Sequence, residues 1–130
     1  MPDTQIRRAA PADLPSLTRL WQTAFGDPPE LIARFYRRFP PETAAWVVEA
    51  DGRAVTAAHL LEGRLHMADG SVLPCAYVYA VSTDPACQGN GYASALMRRF
   101  AAGDLCTLPG GVSRCLTCGF GAQRRLIFRY

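Results

Sequence analysis

Leu14, Leu17, Leu20, Trp21 and Phe25 recur at three- and four-residue spacing, the apolar stripe of an amphipathic helix that starts near Pro11 and stops at 26–29 (GDPP). A second helical run over 30–39 puts Leu31, Phe35 and Phe39 on one face, with Arg34, Arg37 and Arg38 largely off it. Pro40 and Pro41 are expected to end that run, because neither can supply a helix N–H. Ahead of both helices, 5–9 reads as a short extended segment.

From Ala45 onward the pattern shortens to that of strands. Residues 45–50 (AWVVEA), the turn Asp51-Gly52 and residues 54–61 read as a β-hairpin. Residues 63–67, the turn Asp69-Gly70 and residues 72–83 read as a second strand pair. The run Tyr77-Val78-Tyr79-Ala80-Val81 is dense in β-formers and is expected at the centre of the sheet. Asp84-Pro85 ends it, 88–92 is a glycine-containing turn, and 93–102 is a helix of good helix formers. A fifth strand is expected over 104–108, closed by Pro109-Gly110-Gly111, then a short segment 112–118 and a last strand 126–130. With no repeat, linker or low-complexity stretch, residues 1–130 read as one α/β domain.

Composition narrows the function classes. At 49% hydrophobic and 19% charged, the 130 residues can fold around a core without disulfide staples. All 14 basic residues are arginine, against 11 acidic ones, and a net charge of +3 is too mild for a nucleic-acid protein. The absence of lysine fits a coding bias, and the pairs at 7-8, 37-38, 98-99 and 124-125 read as solvated faces. No apolar run approaches the roughly 20 residues of a membrane span. The opening MPDTQIRR has no apolar stretch of a secretory signal, so no membrane or export role is expected. Cys75, Cys87, Cys106, Cys115 and Cys118 are odd in number and scattered, which suits reduced thiols in the cytoplasm. Cys115-x-x-Cys118 has no second pair and no histidine near it in sequence, so neither a metal nor a redox centre is expected.

The stretch from Val81 to Met97 carries the chemistry: a strand, a turn with two glycines, then a helix. Such a turn gathers free backbone N–H groups at the positive end of a helix, which favours an anion. A plain strand-to-helix connection can look the same. What distinguishes this one is Gln88-Gly89-Asn90-Gly91-Tyr92-Ala93, which resembles the Q/R-x-x-G-x-G/A signature of the GNAT superfamily of N-acetyltransferases. The order of elements is similar too, and the meander with Asp69-Gly70 and Ala76-Tyr77-Val78 resembles the branch that includes Eis-like acetyltransferases. A Rossmann NAD site is argued against, since G-x-G-x-x-G is absent.

The resemblance implies a mixed, mostly antiparallel twisted sheet flanked by helices, with a splayed cofactor cleft. It implies acetyl-CoA as cosubstrate, its pyrophosphate on the amides of Gly89, Asn90, Gly91, Tyr92 and Ala93, with Gln88 in the turn and Ser94 adding a hydroxyl. Backbone groups of Val81 and Thr83 would pair with the pantetheine arm, and the N–H near Val81 would face the thioester oxygen. Relatives carry a tyrosine on a short helix four residues before a Gly-Phe pair, as the acid for the departing thiolate. Counting back from Gly119-Phe120 gives Cys115 instead. Glu49, Glu62, His59 and Tyr79 are the candidates for the base, and Cys115 and Tyr79 are carried as the catalytic pair. A helix placing Arg98-Arg99 within reach of CoA phosphates is a second reading of that pair.

The function expected is transfer of acetyl to a small-molecule or peptide amine, with no nucleic acid or membrane as partner and with a homodimer suggested by relatives. The alternative is a catalytically weakened acetyl-CoA-binding regulatory module, for which Cys115 is the motive.

Overall fold

In the computed structural model, residues 3–101 and 115–117 are described. Strand β1 (Thr4–Arg8) leads through a 3-10 turn at Pro11–Asp13 into α1 (Leu14–Phe25), α2 (Pro29–Arg38) and the short α3 (Pro41–Ala44). Strands β2 (Ala45–Ala50), β3 (Arg53–His66) and β4 (Val72–Thr83) follow, then a 3-10 turn at Pro85–Cys87, α4 (Tyr92–Ala101) and β5 (Cys115–Thr117). The sheet runs in chain order β1-β2-β3-β4-β5. Its first four strands are antiparallel neighbours, and β5 joins β4 in parallel through Ala76↔Cys115, Tyr77↔Leu116 and Val78↔Thr117. This is the mixed α+β sheet flanked by helices that the sequence led us to expect.

Side chains alternate across the strands and so build two cores. On one face Val48, Val55, Ala58, Leu60, Ala76 and Val78 pack under Leu96, Met97 and Phe100 of α4. On the other, Val47, Ala57 and Ala80 pack under Leu17, Leu20 and Trp21 of α1 and Ile32 and Tyr36 of α2. The sheet is thus a middle layer, with α4 on one face and α1 and α2 on the other.

Two expectations need correction. The segments 54–61 and 63–67 are one strand, because β4 pairs along all of β3 and the ladder overrides the weak β preference of Glu62-Gly63. Pro40 and Pro41 do follow the end of the α2 run, which closes at Arg38, and Pro41 then opens α3, since the first helical position needs no N–H. On α2 the buried residues are Ile32 and Tyr36, with Phe35 beside them, while Leu31 is 45% exposed. Apolar residues at 31, 32, 35, 36 and 39 make a stripe wide enough that spacing alone does not centre it. The expected strands at 104–108 and 126–130 lie outside the described residues.

The first arginine pair is also not simply solvated. Arg7 bridges β1 to Glu49 on β2 (Nε to Oε2, 2.7 Å) and forks onto Asp13 at 2.7 and 3.0 Å. Arg8 lies over its cross-strand partner Trp46, 4.5 Å from the ring centroid. The guanidinium of Arg7 holds the Asp13 carboxyl below its ordinary pKa. The other arginine pair in a strongly charged position, Arg37-Arg38, sits in the last turn of α2, where it complements the helix dipole.

Candidate active site

The site grows from the end of β4. Between β3 and β4 the register shifts: Ala57 faces Ser82 and His59 faces Tyr79, so Ala80 and Val81 together face Ala58. This is a β-bulge, with Ala80 in the left-handed region at φ +50°. Among the described residues β5 pairs with β4 from Ala76 to Val78, and the bulge at Ala80 and Val81 follows two residues later. Beyond Val78, β4 has only β3 as its ladder neighbour among the described residues. Val81 leans on the α4 core, and the Thr83 hydroxyl meets that of its partner Thr56 at 3.0 Å.

The turn after β4 is braced from within. The Asp84 carboxylate accepts the Ala86 N–H at 2.9 Å, its carbonyl accepts the Cys87 N–H at 2.8 Å, and its own N–H donates to Val55 at 2.8 Å. Asn90 donates its side-chain amide to the Cys87 carbonyl at 2.9 Å. Arg53 reaches this turn, 3.9 Å from the Asp84 carboxylate. Gly89 and Gly91 then adopt φ +84° and +78°, conformations that side-chain-bearing residues avoid. Among the described residues, a Cβ built on either would meet no atom within 4 Å, which leaves room above the loop.

Helix α4 begins directly under that space. The Ala95 N–H closes the first helical bond onto the Gly91 carbonyl at 2.9 Å, so the amides of the residues before it have no partner within the helix. No acidic residue occupies this first turn. Gln88, Gly89, Asn90, Gly91 and Ser94 are exposed, while Tyr92 and Ala93 are half-buried. Leu96, Met97 and Phe100 anchor the helix to the sheet. Room above the loop, free amides and a fixed helix end together suit the phosphate of a nucleotide-like ligand. The nine residues expected at the cofactor, Val81, Thr83 and 88–94, run from the end of β4 through the turn into the start of α4.

The catalytic expectations fare differently. Cys115 stands on a strand beside Ala76 rather than on a short helix. The tyrosine-position argument assumed helical spacing back from Gly119-Phe120, and those two residues lie outside the described ones. The ring of Tyr79 is half-buried, stacked on Phe35 at 5.5 Å and edge-on to Trp21 at 5.8 Å. Glu49 is the ion-pair partner of Arg7, a structural role. Glu62 is exposed on β3, and Cys87 is a free thiol.

His59, one of the four candidates for the base, is the hub of the α1/α2 side. It is 1% exposed and ringed by Trp21, Phe35 and Tyr36. Its Nδ1 lies 3.0 Å from the Tyr79 carbonyl, which can only accept, so Nδ1 carries the proton. Its Nε2 lies 2.8 Å from the Tyr36 hydroxyl, which donates to the remaining lone pair. Burial lowers the His59 pKa to about 4, against the pull of the backbone of Tyr79 and Ala80, so the ring is neutral. Burial also raises the Tyr36 phenol, which keeps its proton. With its lone pair taken, His59 is no base for a substrate. The one signal in the sequence was a histidine inside an otherwise apolar strand, VTAAHLL.

The sequence model of the acetyltransferase (GNAT) domain matches residues 5–103 of this chain. Among solved structures, an aminoglycoside N-acetyltransferase in complex with CoA is similar at 15% identity and TM-score 0.69, covering 100% of this chain and 95% of that one. A probable N-acyltransferase from Enterococcus faecalis is similar at 19% identity and TM-score 0.68, over 78% of this chain and 26% of that one. Eis1 from Mycobacterium abscessus is similar at 21% identity and TM-score 0.62, over 77% of this chain and 24% of that one. The chain spans about a quarter of the length of these last two proteins, and at such identities what is shared is the fold. No curated protein matches the chain.

Proposed function

Since the chain belongs to the GNAT acetyltransferase family, we propose that it moves an acetyl group from acetyl-CoA to an amine at the end of β4 and the start of α4. The observation that carries this reading is the pair Gly89 and Gly91, both left-handed, with room above them at the start of α4. Backbone amides from Gly89 to Ala93 would hold the pyrophosphate, Gln88 and Asn90 would shape the turn, and the Ser94 hydroxyl would add a donor. Val81 and Thr83 would offer their backbone to the pantetheine arm. When bound, acetyl-CoA supplies the activated acetyl group. The chain's part is to orient it, to stabilise charge on its carbonyl oxygen with a β4 amide, and to manage two protons. For the protons the reading keeps Tyr79 on β4 and Cys115 on the neighbouring β5. The family is consistent with a small-molecule or peptide amine as acceptor, and we place the protein in the cytoplasm. Among the described residues no helix is long and apolar enough to cross a membrane, and no His/Cys/Asp/Glu group gathers for a metal.

The test is acetyl-CoA incubated with a panel of amines (a polyamine, an aminoglycoside, free amino acids and a peptide N-terminus), with acetylated product read by mass spectrometry. One class should be acetylated well above the enzyme-free rate. CoA binding with no product from any class would favour the regulatory binding module instead.

A further inference from the structure

Resting on the reading of the end of β4 and the start of α4 as the acetyl-CoA cleft, we infer that His59 is a positioning residue that sets the direction of the Ala80 amide at the β4 bulge. The chain of geometry is short. Ala80 is a non-glycine residue at φ +50°, a conformation that persists only where its surroundings enforce it. The peptide entering Ala80 carries the Tyr79 carbonyl, and that carbonyl is gripped by the His59 Nδ1–H at 3.0 Å. A side chain stands off the face of its sheet, so a carbonyl bonded to one is turned out of the ladder. The peptide is trans, so the Ala80 N–H points away from His59 and from the α1/α2 layer. Rotation of this one unit fixes how the Ala80 amide presents itself.

The grip is itself fixed. The opposite ring nitrogen takes the Tyr36 hydroxyl at 2.8 Å, which leaves a single tautomer that satisfies both contacts. Trp21, Phe35 and Tyr36 close around the ring with centroids 5.3–5.6 Å away, so it cannot swing aside. The buried Tyr36–His59 pair on the helix side is thereby wired to the backbone on the cleft side. Its partner is the acyl carbonyl oxygen, the group that an oriented amide would recognise.

Calorimetry with two inert probes tests this, and needs no acceptor: CoA, and acetyl-dethia-CoA, in which a methylene replaces the thioester sulfur. The wild type should bind the acetyl probe roughly five-fold more tightly than CoA, the size of one hydrogen bond. His59→Leu should bring that ratio to about one while the CoA affinity stays within about two-fold. His59→Asn, whose amide nitrogen can stand near the Nδ1 position, should restore most of the ratio. Should the leucine variant fail to fold, His59→Gln serves: its amide nitrogen falls near Nε2, so it should lose the ratio that asparagine keeps. A ratio indifferent to all three substitutions, with both probes bound, overturns the role of His59 alone. Failure of the wild type to bind either probe overturns the cleft assignment and this role with it.

Discussion

Gly91→Val should lower the affinity for CoA by at least roughly 30-fold, about 2 kcal/mol, while leaving a folded protein. The residue sits at φ +78° with no atom of the described residues within 4 Å of where a Cβ would stand. In the free protein the substitution therefore meets no steric wall, and its effect on stability is the left-handed strain alone, about 1–2 kcal/mol. Binding is another matter. A valine side chain would fill the space above the α4 amides that the pyrophosphate needs, and a phosphate held off those amides loses its charge-assisted hydrogen bonds. Gly91→Ala should fall between the two. Calorimetric Kd and melting temperature, measured on both variants, separate the effects. A lower melting temperature with an unchanged Kd would move the phosphate site away from this loop.

Acidification from pH 7 to pH 4 should remove on the order of 3 kcal/mol of stability through His59 alone. Its pKa is 6.5 in the unfolded chain and about 4 when buried. Between those values the unfolded state takes up a proton that the folded state refuses, so stability falls as pH falls, by about 1.4 kcal/mol per unit. Above the unfolded pKa the full contribution is present; below the folded one no more is lost. Asp13 adds a separate loss lower down, since its folded pKa is depressed by Arg7 and its stabilisation fades as the pH falls below the ordinary carboxylate range. Urea unfolding of wild type and His59→Asn across pH 4–7 isolates the histidine. The wild-type curve should slope steeply through this window and the variant's should be nearly flat. Parallel curves would mean that the ring is not buried neutral.

The elements that sequence showed best are those whose pattern is local. Asp51-Gly52 takes two positive φ values in its hairpin turn, as its residue types demand, and the strand, glycine turn and helix from Val81 to Met97 stand where they were read. The cofactor site was legible because its chemistry lies in one contiguous run. The bulge at Ala80 was not. Alanine has no preference for φ +50°, and the conformation arises from contacts with a strand some twenty residues away. The same holds for His59. Its neighbours Trp21, Phe35, Tyr36 and Tyr79 come from α1, α2 and β4, and only their packing turns an isolated histidine into a neutral, two-sided hydrogen-bond hub. The helix face of α2 was misread for a related reason. Tyr36 is turned inward by the hydroxyl's partner on β3, information that apolar spacing does not contain.

The most direct measurement is a backbone amide NMR titration of the intact chain with CoA. Saturable shifts should concentrate at Val81, Thr83 and residues 88–94, with the largest at the Gly89 to Ala93 amides and little change around Arg7 and Glu49 on the far edge of the sheet. Shifts that fail to saturate, or that gather away from the end of β4 and the start of α4, would contradict the placement of the cofactor on which the proposed acetyl transfer depends.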